Sequence, residues 1–410
     1  MEPSSSNKIK ELDLKLEKEL KQDILPYWIY NTPDYENGGF IGRIDSYDVK
    51  HPLADKGVIL NTRLLWTFSA AYRKYEEGSY LDMADRAYQY ISDNFMDPEY
   101  GGCYWLLDYR GNPKNERKHL YAQSFLLYAL SEYFAAKEDD AVLNKSIKLF
   151  ELIEGKCYND RYSGYDEAFD RYWYRETGVV LGDDKEASRF TMNSHLHLLE
   201  AYTNLYKVWQ DATLKEKLTH LLHLHVDKMY DSDIEHFYSF FKENWQPQIP
   251  EYSYGHDIEA AWLLYDSALA LADDSLKEIT SKLIRNVSDA LLREGCDHIN
   301  GGIFNAGEKG NVIDTDKQWW VQAEAIVGLS YAWMLTDNSD YLHAIDHFWD
   351  YIHHNFKDHD KGEWYFMLSQ NGTPYIEKDK VGPWKAPYHT GRMCMEFNRI
   401  AEINRVDEQH

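Results

Sequence analysis

GlyGlyCysTyrTrp at 101–105 and GlyGlyIlePhe at 301–304 are two copies of one signal, a glycine pair running into aromatic or aliphatic residues. Polar turn residues precede each copy, so each reads as the tip or first strand of a small hairpin. Working outward, the signal returns in GlyGlyPhe at 38–40, SerGlyTyr at 163–165 and LysGlyGluTrpTyrPhe at 361–366. A weakened copy stands at AspIleGluHisPheTyr, 233–238. The copies lie about 60–70 residues apart, the mark of an internal repeat.

The sequence between the copies has helical period. Ile9, Leu12, Leu16, Leu20 and Ile24 recur at three- and four-residue steps, an apolar face that Pro26 is expected to stop. Similar stripes run through about 57–76, 79–96, 118–137, 140–155, 190–209, 212–230, 254–272, 275–294, 316–336, 339–356 and 387–404. One repeat is therefore two helices plus a hairpin. About six such pairs closed into a ring, with an inner and an outer layer, predict an all-α fold: an (α/α)6 barrel of about twelve helices with short β-hairpins in the loops. No linker or composition shift cuts the chain, so residues 1–410 are expected to form a single barrel domain, with 1–8 as a flexible tail. An open solenoid or two bundles would not place a polar cluster at the same point of successive repeats.

Composition bounds the function. With 44% hydrophobic and 15% aromatic residues the chain has ample core, and its 13 Trp and 33 Tyr also offer flat apolar faces to ligand rings. A net charge of −25 repels phosphate backbones and anionic lipid, which argues against nucleic acid or membrane partners. The four cysteines, at 103, 157, 296 and 394, have neither CxxC nor metal-ligand spacing, as reduced cytoplasmic thiols would. The N-terminus lacks a signal-type apolar stretch, and no run approaches the ~18–20 apolar residues that span a bilayer. A cytoplasmic monomer or weak homo-oligomer is expected.

In such a ring the starts of the inner helices and the loops before them line one pocket. The residues placed there are Arg63, Tyr121, Asn193, His197, His256, Glu259, Trp319, Trp384 and His389. His256 and Glu259 are three apart on one helix face, so the carboxylate is expected to hold the second nitrogen of that imidazole. Asn193 and His197 share a face while His195 points elsewhere, and His389 follows a Pro suited to a helix start. His220, His223 and His225 read as a solvated outer face. Two imidazoles suit a reaction that takes a proton from one face of a carbon beside a carbonyl and returns it to the other. A fixed cation such as Arg63 would stabilise the enolate charge that develops.

Other chemistries fit less well. There is no GxxxxGK[ST], no GxGxxG after a strand and no GxSxG, so nucleotide cofactors and a serine nucleophile lack a scaffold. His256, Glu259 and His389 could ligate a metal, but HxxE plus one distant His is weak spacing for it, and none is expected. A glycoside hydrolase would need two flanking carboxylates, for which Glu259 and Glu324 are the candidates. The facing histidines would then have no task, and a non-catalytic helical scaffold would display residues on its outer or concave faces, without an acid/base pair in a pit.

GlyValIleLeuAsnThrArgLeuLeuTrpThrPheSerAla (57–70), ThrMetAsnSerHisLeuHisLeuLeuGluAlaTyrThrAsnLeuTyr (191–206), SerTyrGlyHisAspIleGluAlaAlaTrpLeuLeu (253–264), TrpTrpValGlnAlaGluAla (319–325) and TrpLysAlaProTyrHisThrGlyArgMetCys (384–394) resemble motifs of the cellobiose 2-epimerases. These are the disaccharide branch of the acylglucosamine 2-epimerase superfamily, and the likeness runs from about residue 10 to 404. It implies cofactor-free inversion at C2 of the reducing-end sugar of a disaccharide, with His256 and His389 as the acid/base pair. It further implies that Arg63 and His197 contact the O1/O2 end, with His197 assisting ring opening, and that Tyr121, Asn193 and Glu259 support them. Trp319 would stack on the reducing-end sugar and Trp384 on the second ring. A monosaccharide mannose/glucose 2-epimerase or an aldose–ketose isomerase would share the same enediol. LeuGlyAspAspLys at 181–185 departs from the family pattern, and no ligand is taken from it.

Overall fold

Helices that are apolar on every side are stable only when buried all round, whereas amphipathic ones cover a core with one face. Both kinds alternate here. The computed structural model describes residues 5–181 and 188–407, and its α-helices run in chain order as follows. They are α1 (Ser5–Glu19), α2 (Leu25–Asn31), α3 (Val58–Tyr75), α4 (Gly78–Tyr90), α5 (Leu120–Lys137), α6 (Asp140–Lys156), α7 (Met192–Val208), α8 (Ala212–Leu224), α9 (Tyr254–Leu271), α10 (Asp274–Ala290), α11 (Trp319–Thr336), α12 (Ser339–Tyr351) and α13 (Tyr388–Asp407).

Helices α3, α5, α7, α9, α11 and α13 pack in that order, and α13 returns to α3, so the inner ring closes. Outside it, α4, α6, α8, α10 and α12 each lie on the inner helix next to them in sequence, and α1 lies on α13. The expected (α/α)6 barrel is thus present, and its last inner helix is covered by the first helix of the chain. Ile9, Leu12, Leu16, Leu20 and Ile24 are all buried in that contact. Pro26 does not stop the segment: a π-turn at Leu20–Ile24 leads into α2, where the proline takes a first-turn position that needs no N–H. Residues 5–8 belong to α1, not to a flexible tail, and residues 1–4 lie outside the described residues. Among the described residues no helix is long and apolar enough to cross a membrane.

The rim that carries the site is made of short strands. The strand entering each inner helix pairs antiparallel with the hairpin of the following repeat: Lys56–Gly57 with Leu106–Leu107, Lys118–His119 with Ala168–Phe169, and Phe190–Thr191 with Phe240–Phe241. Glu251–Ser253 with Ala306–Glu308 and Lys317–Gln318 with Met367–Leu368 continue the series, and the Ile44–Val381 bridge completes the circle. Buried ion pairs pin the hairpins: Lys56–Asp34 at 2.8 Å, Lys118–Asp97 at 2.9 Å, Lys317–Asp297 at 2.8 Å and Lys380–Asp358 at 2.6 Å. The glycine pair is required by close approach. At Gly302, with φ of +76°, a Cβ would stand 2.5 Å from the Tyr351 ring.

Candidate active site

The repeat sets the register of the site. Counting from the first residue of each inner helix, the sixth is Arg63 in α3, Phe125 in α5, His197 in α7, Glu259 in α9 and Glu324 in α11. In α13 the count starts at Pro387, whose carbonyl accepts the N–H of Gly391, and the sixth residue is Arg392. By the same count His256 and His389 are both third residues. Positions one helical turn apart share a face, so one layer of each inner helix points at the ring axis. There they enclose a cavity of about 430 Å3, within the range of small-molecule sites. Arg63, Tyr121, Asn193, His197, His256, Glu259, Trp319, Trp384 and His389 all line it.

His389 is held by its Nδ1, 2.7 Å from Glu324 Oε1. A carboxylate can only accept, so Nδ1 carries the hydrogen and the Nε2 lone pair is left for chemistry. His197 is built alike, with Nδ1 2.9 Å from Glu200 Oε2. His256 differs. Its backbone N–H meets the Ser253 hydroxyl at 3.4 Å, and its ring packs against Trp320, with centroids 4.7 Å apart. The Trp320 ring also lies 5.6 Å from His389, so one indole stands beside both imidazoles. Burial holds His256 and His389 neutral, pushing each down to about 3, although Glu324 opposes this for both.

The expectation that Glu259 holds His256 is overturned. Its Oε1 instead accepts from Arg392 Nη2 at 2.6 Å and lies 4.0 Å from His389 Nδ1. Arg392 Nη2 also donates to Glu324 at 2.7 Å, and Nη1 to Glu200. A buried guanidinium thus gathers three carboxylates below the cavity. Burial pushes Glu259 up to about 8, and the charge of Glu324 adds to it. Burial works the same way on Glu324, but Arg392 and His389 outweigh it and hold that carboxyl low. Glu259, Glu324 and His389 have ligand atoms within 4.8 Å of one another, and Arg392 donates to Oε1 of both glutamates, placing a fixed cation inside that group.

On the opposite wall Arg63 lies over the Phe125 ring at 4.6 Å, donates Nη2 to the Tyr121 hydroxyl at 3.0 Å and Nη1 to the Trp384 carbonyl. Trp384 stands half-buried between Trp105 and Tyr121, with centroid distances of 5.8 and 5.7 Å. Trp319 packs on Phe366 at 4.3 Å. Arg63 Nε, Asn193 Oδ1, Glu259 Oε2 and Trp319 Nε1 are buried without a hydrogen-bond partner among the described residues. Buried polar atoms left open around one cavity suit a ligand rich in hydroxyls.

His195 points away, as expected: its Nδ1 meets the Thr191 carbonyl at 2.8 Å and its Nε2 accepts the Tyr165 N–H at 3.1 Å. His225, expected on a solvated face, is fully buried, with Nδ1 2.8 Å from the Leu221 carbonyl. The sequence reading passed over Arg392, Glu200, Glu324 as the partner of His389, and Trp320. All four stand inside the quoted motifs, and counting positions along the repeats would have found Glu324 and Arg392. Asp183 and Asp184 lie outside the described residues.

A closed α/α ring whose axial pocket holds two neutral imidazoles over an Arg–Glu cluster is the architecture of a sugar-isomerising enzyme. The chain belongs to the N-acylglucosamine 2-epimerase (GlcNAc 2-epimerase) family, whose model matches residues 39–392. Within that family it is 42% identical over 387 residues to a cellobiose 2-epimerase of Bacteroides fragilis, covering 94% of this chain and 98% of that one. A cellobiose 2-epimerase of Dictyoglomus turgidum is 37% identical over 392 residues, covering 95% and 98%. The solved cellobiose 2-epimerase of Bacillus thermoamylovorans superposes with a TM-score of 0.90 at 37% identity, over 95% of this chain and 99% of that one.

Proposed function

We propose that this chain inverts C2 of the reducing-end glucose of β-1,4-linked disaccharides, converting cellobiose to glucosyl-mannose and lactose to epilactose. The observation that carries the reading is the pair of neutral histidines at equivalent helix positions, His389 buried and His256 half-buried, both beside Trp320. In the opened sugar C2 lies next to the C1 aldehyde. One imidazole takes the C2 proton, the electron pair moves toward O1, and an enediol forms. The other imidazole, which enters this step protonated at the nitrogen facing the sugar, returns a proton to the opposite face of C2 and restores the aldehyde with C2 inverted. That ring is left neutral while the first is left protonated. Arg63, fixed by Tyr121 and the Trp384 carbonyl, stabilises the charge on O1 and O2. His197, its Nδ1 committed to Glu200, presents Nε2 for the proton transfer that opens the ring. Asn193 and Trp319 hold the reacting sugar, and Trp384 offers its indole to the second ring.

Hydrolysis is disfavoured by the same geometry. Glu259 and Glu324 share one guanidinium nitrogen and do not flank a bond. Incubation with cellobiose, lactose, glucose and mannose in D2O, with chromatography and NMR of the products, tests the proposal. Glucosyl-mannose carrying deuterium at C2 is expected. A product labelled at C1 of a ketose would mean isomerisation, and outright preference for mannose over cellobiose would mean a monosaccharide enzyme. Neither is compatible with the proposal.

A further inference from the structure

The repeats make one departure next to His256. In four of them a buried lysine stands two residues before the inner helix, α13 again counted from Pro387: Lys56, Lys118, Lys317 and Lys385. Before α9 that position is Tyr252. The second glycine of the hairpin (Gly102 and Gly302 elsewhere) is replaced by His236, whose ring lies flat on Tyr252 with centroids 3.7 Å apart. His236 is buried between two carboxylates, with Nδ1 2.7 Å from Asp257 and Nε2 3.2 Å from Glu294. Two carboxylates can only accept, so both ring nitrogens carry hydrogen.

The fourth residue of the inner helix departs too. In α5 and α11 it is a neutral glutamine whose side chain accepts a hairpin N–H, Gln123 from Cys103 at 2.8 Å and Gln322 from Ile303 at 2.9 Å. In α9 it is Asp257, which takes the Phe237 N–H at 2.9 Å on one oxygen and His236 on the other. Asp257 is the residue after His256. Among the described residues the His256 ring has no side-chain hydrogen bond to fix it, unlike His389 and His197. Its place therefore depends on the first turn of α9.

We infer that His236 is a positioning residue, a buried imidazolium clamped on Asp257 that fixes the turn presenting His256 to the substrate. The inference rests on the catalytic assignment of His256 above. The charged groups around the imidazole are Asp257 from α9, Glu294 from the end of the outer helix and, beyond them, Arg293 and Glu235, with Tyr252 and Tyr254 against the ring. Burial works against the charge, but the two carboxylates outweigh it and raise the imidazole above its ordinary range.

The test has two arms. In 15N-histidine-labelled protein the His236 ring nitrogens should titrate above the ordinary ~6.5; a ring that titrates at or below that value overturns the clamp whatever the protein catalyses. For turnover, His236→Gln should lower kcat for C2 deuterium exchange into cellobiose roughly 10–100-fold, the scale of a small misplacement of a reacting group, with KM within ~2-fold. Asp257→Asn, which keeps the acceptor for the Phe237 N–H, should do the same and serves if the first variant does not fold. A kcat within ~3-fold of wild type in either folded variant, or an equal rise in KM, overturns the inference. Wild-type protein without C2 exchange overturns the epimerase reading instead, and the labelling arm still decides the clamp.

Discussion

At the scale of single residues, the site separates groups that hold charge from groups that hold protons. An inversion by two bases needs one imidazole to enter as the imidazolium, one proton more than two neutral rings carry. The cluster around His389 stores that proton at rest on Glu259, whose Oε1 lies 4.0 Å from His389 Nδ1. Its carboxyl, raised to about 8, is protonated below that pH and ionises as pH rises through it. His256 and His389, held near 3, stay neutral over the whole neutral range. The profile of kcat/KM is therefore expected to be flat between about pH 5 and 7 and to fall above about 8. Glu259→Gln, neutral at every pH, should lose that alkaline limb; a limb that persists unchanged assigns it elsewhere. Replacing His256 or His389 by Ala should lower kcat roughly 10²–10⁴-fold, read by product formation at saturating cellobiose. Trp384→Ala should weaken kcat/KM for cellobiose about 10–30-fold, from ~1–2 kcal/mol of lost indole burial, with far less effect on glucose or mannose. Equal losses on both sugars would reduce Trp384 to a wall of the cavity.

At the scale of elements, four of the rim hairpins are pinned by a lysine–aspartate pair that left water to get there. A buried pair adds little net stability over a hydrophobic isostere, but breaking one strands the survivor. Lys317→Met, which leaves Asp297 buried alone, should cost about 3–5 kcal/mol in chemical denaturation, where a surface pair would cost under ~1 kcal/mol. The pair also carries an acid dependence. Burial would raise Asp297, but Lys317 and the turn N–H groups outweigh it and hold it down at about 2. A depressed carboxylate contributes stability that is present above its unfolded value of ~3.9 and lost as pH falls through the folded one. The Tm advantage of wild type over Asp297→Asn should accordingly shrink as pH drops from about 5 to 2. The hairpins were legible because glycine pairs and aromatics punctuate the chain. Their lysines were not, since a lysine in a short polar strand looks solvated until the partner aspartate, about twenty residues away, is seen beneath it.

At the scale of the whole molecule, α13 closes the ring on α3 and packs under α1, so the first and last helices share one interface. A continuous core of this kind predicts one calorimetric transition, and two well-separated transitions would mean that the ring is divided. Sequence alone determined the number of helix pairs, the ring and the nine residues at its axis, because a repeat copies local period and places equivalent helix starts together. It did not determine which carboxylate serves which histidine. Glu259 looked bound to His256 because residues three apart on a helix share a face, yet α9 turns both side chains toward the axis, and Arg392, from the last inner helix, takes the carboxylate. Partners across a closed ring are set by the order in which its helices meet, and only the tertiary structure supplies that order: α11 beside α13 puts Glu324 under His389, and Arg392 reaches Glu200 on α7 across the axis.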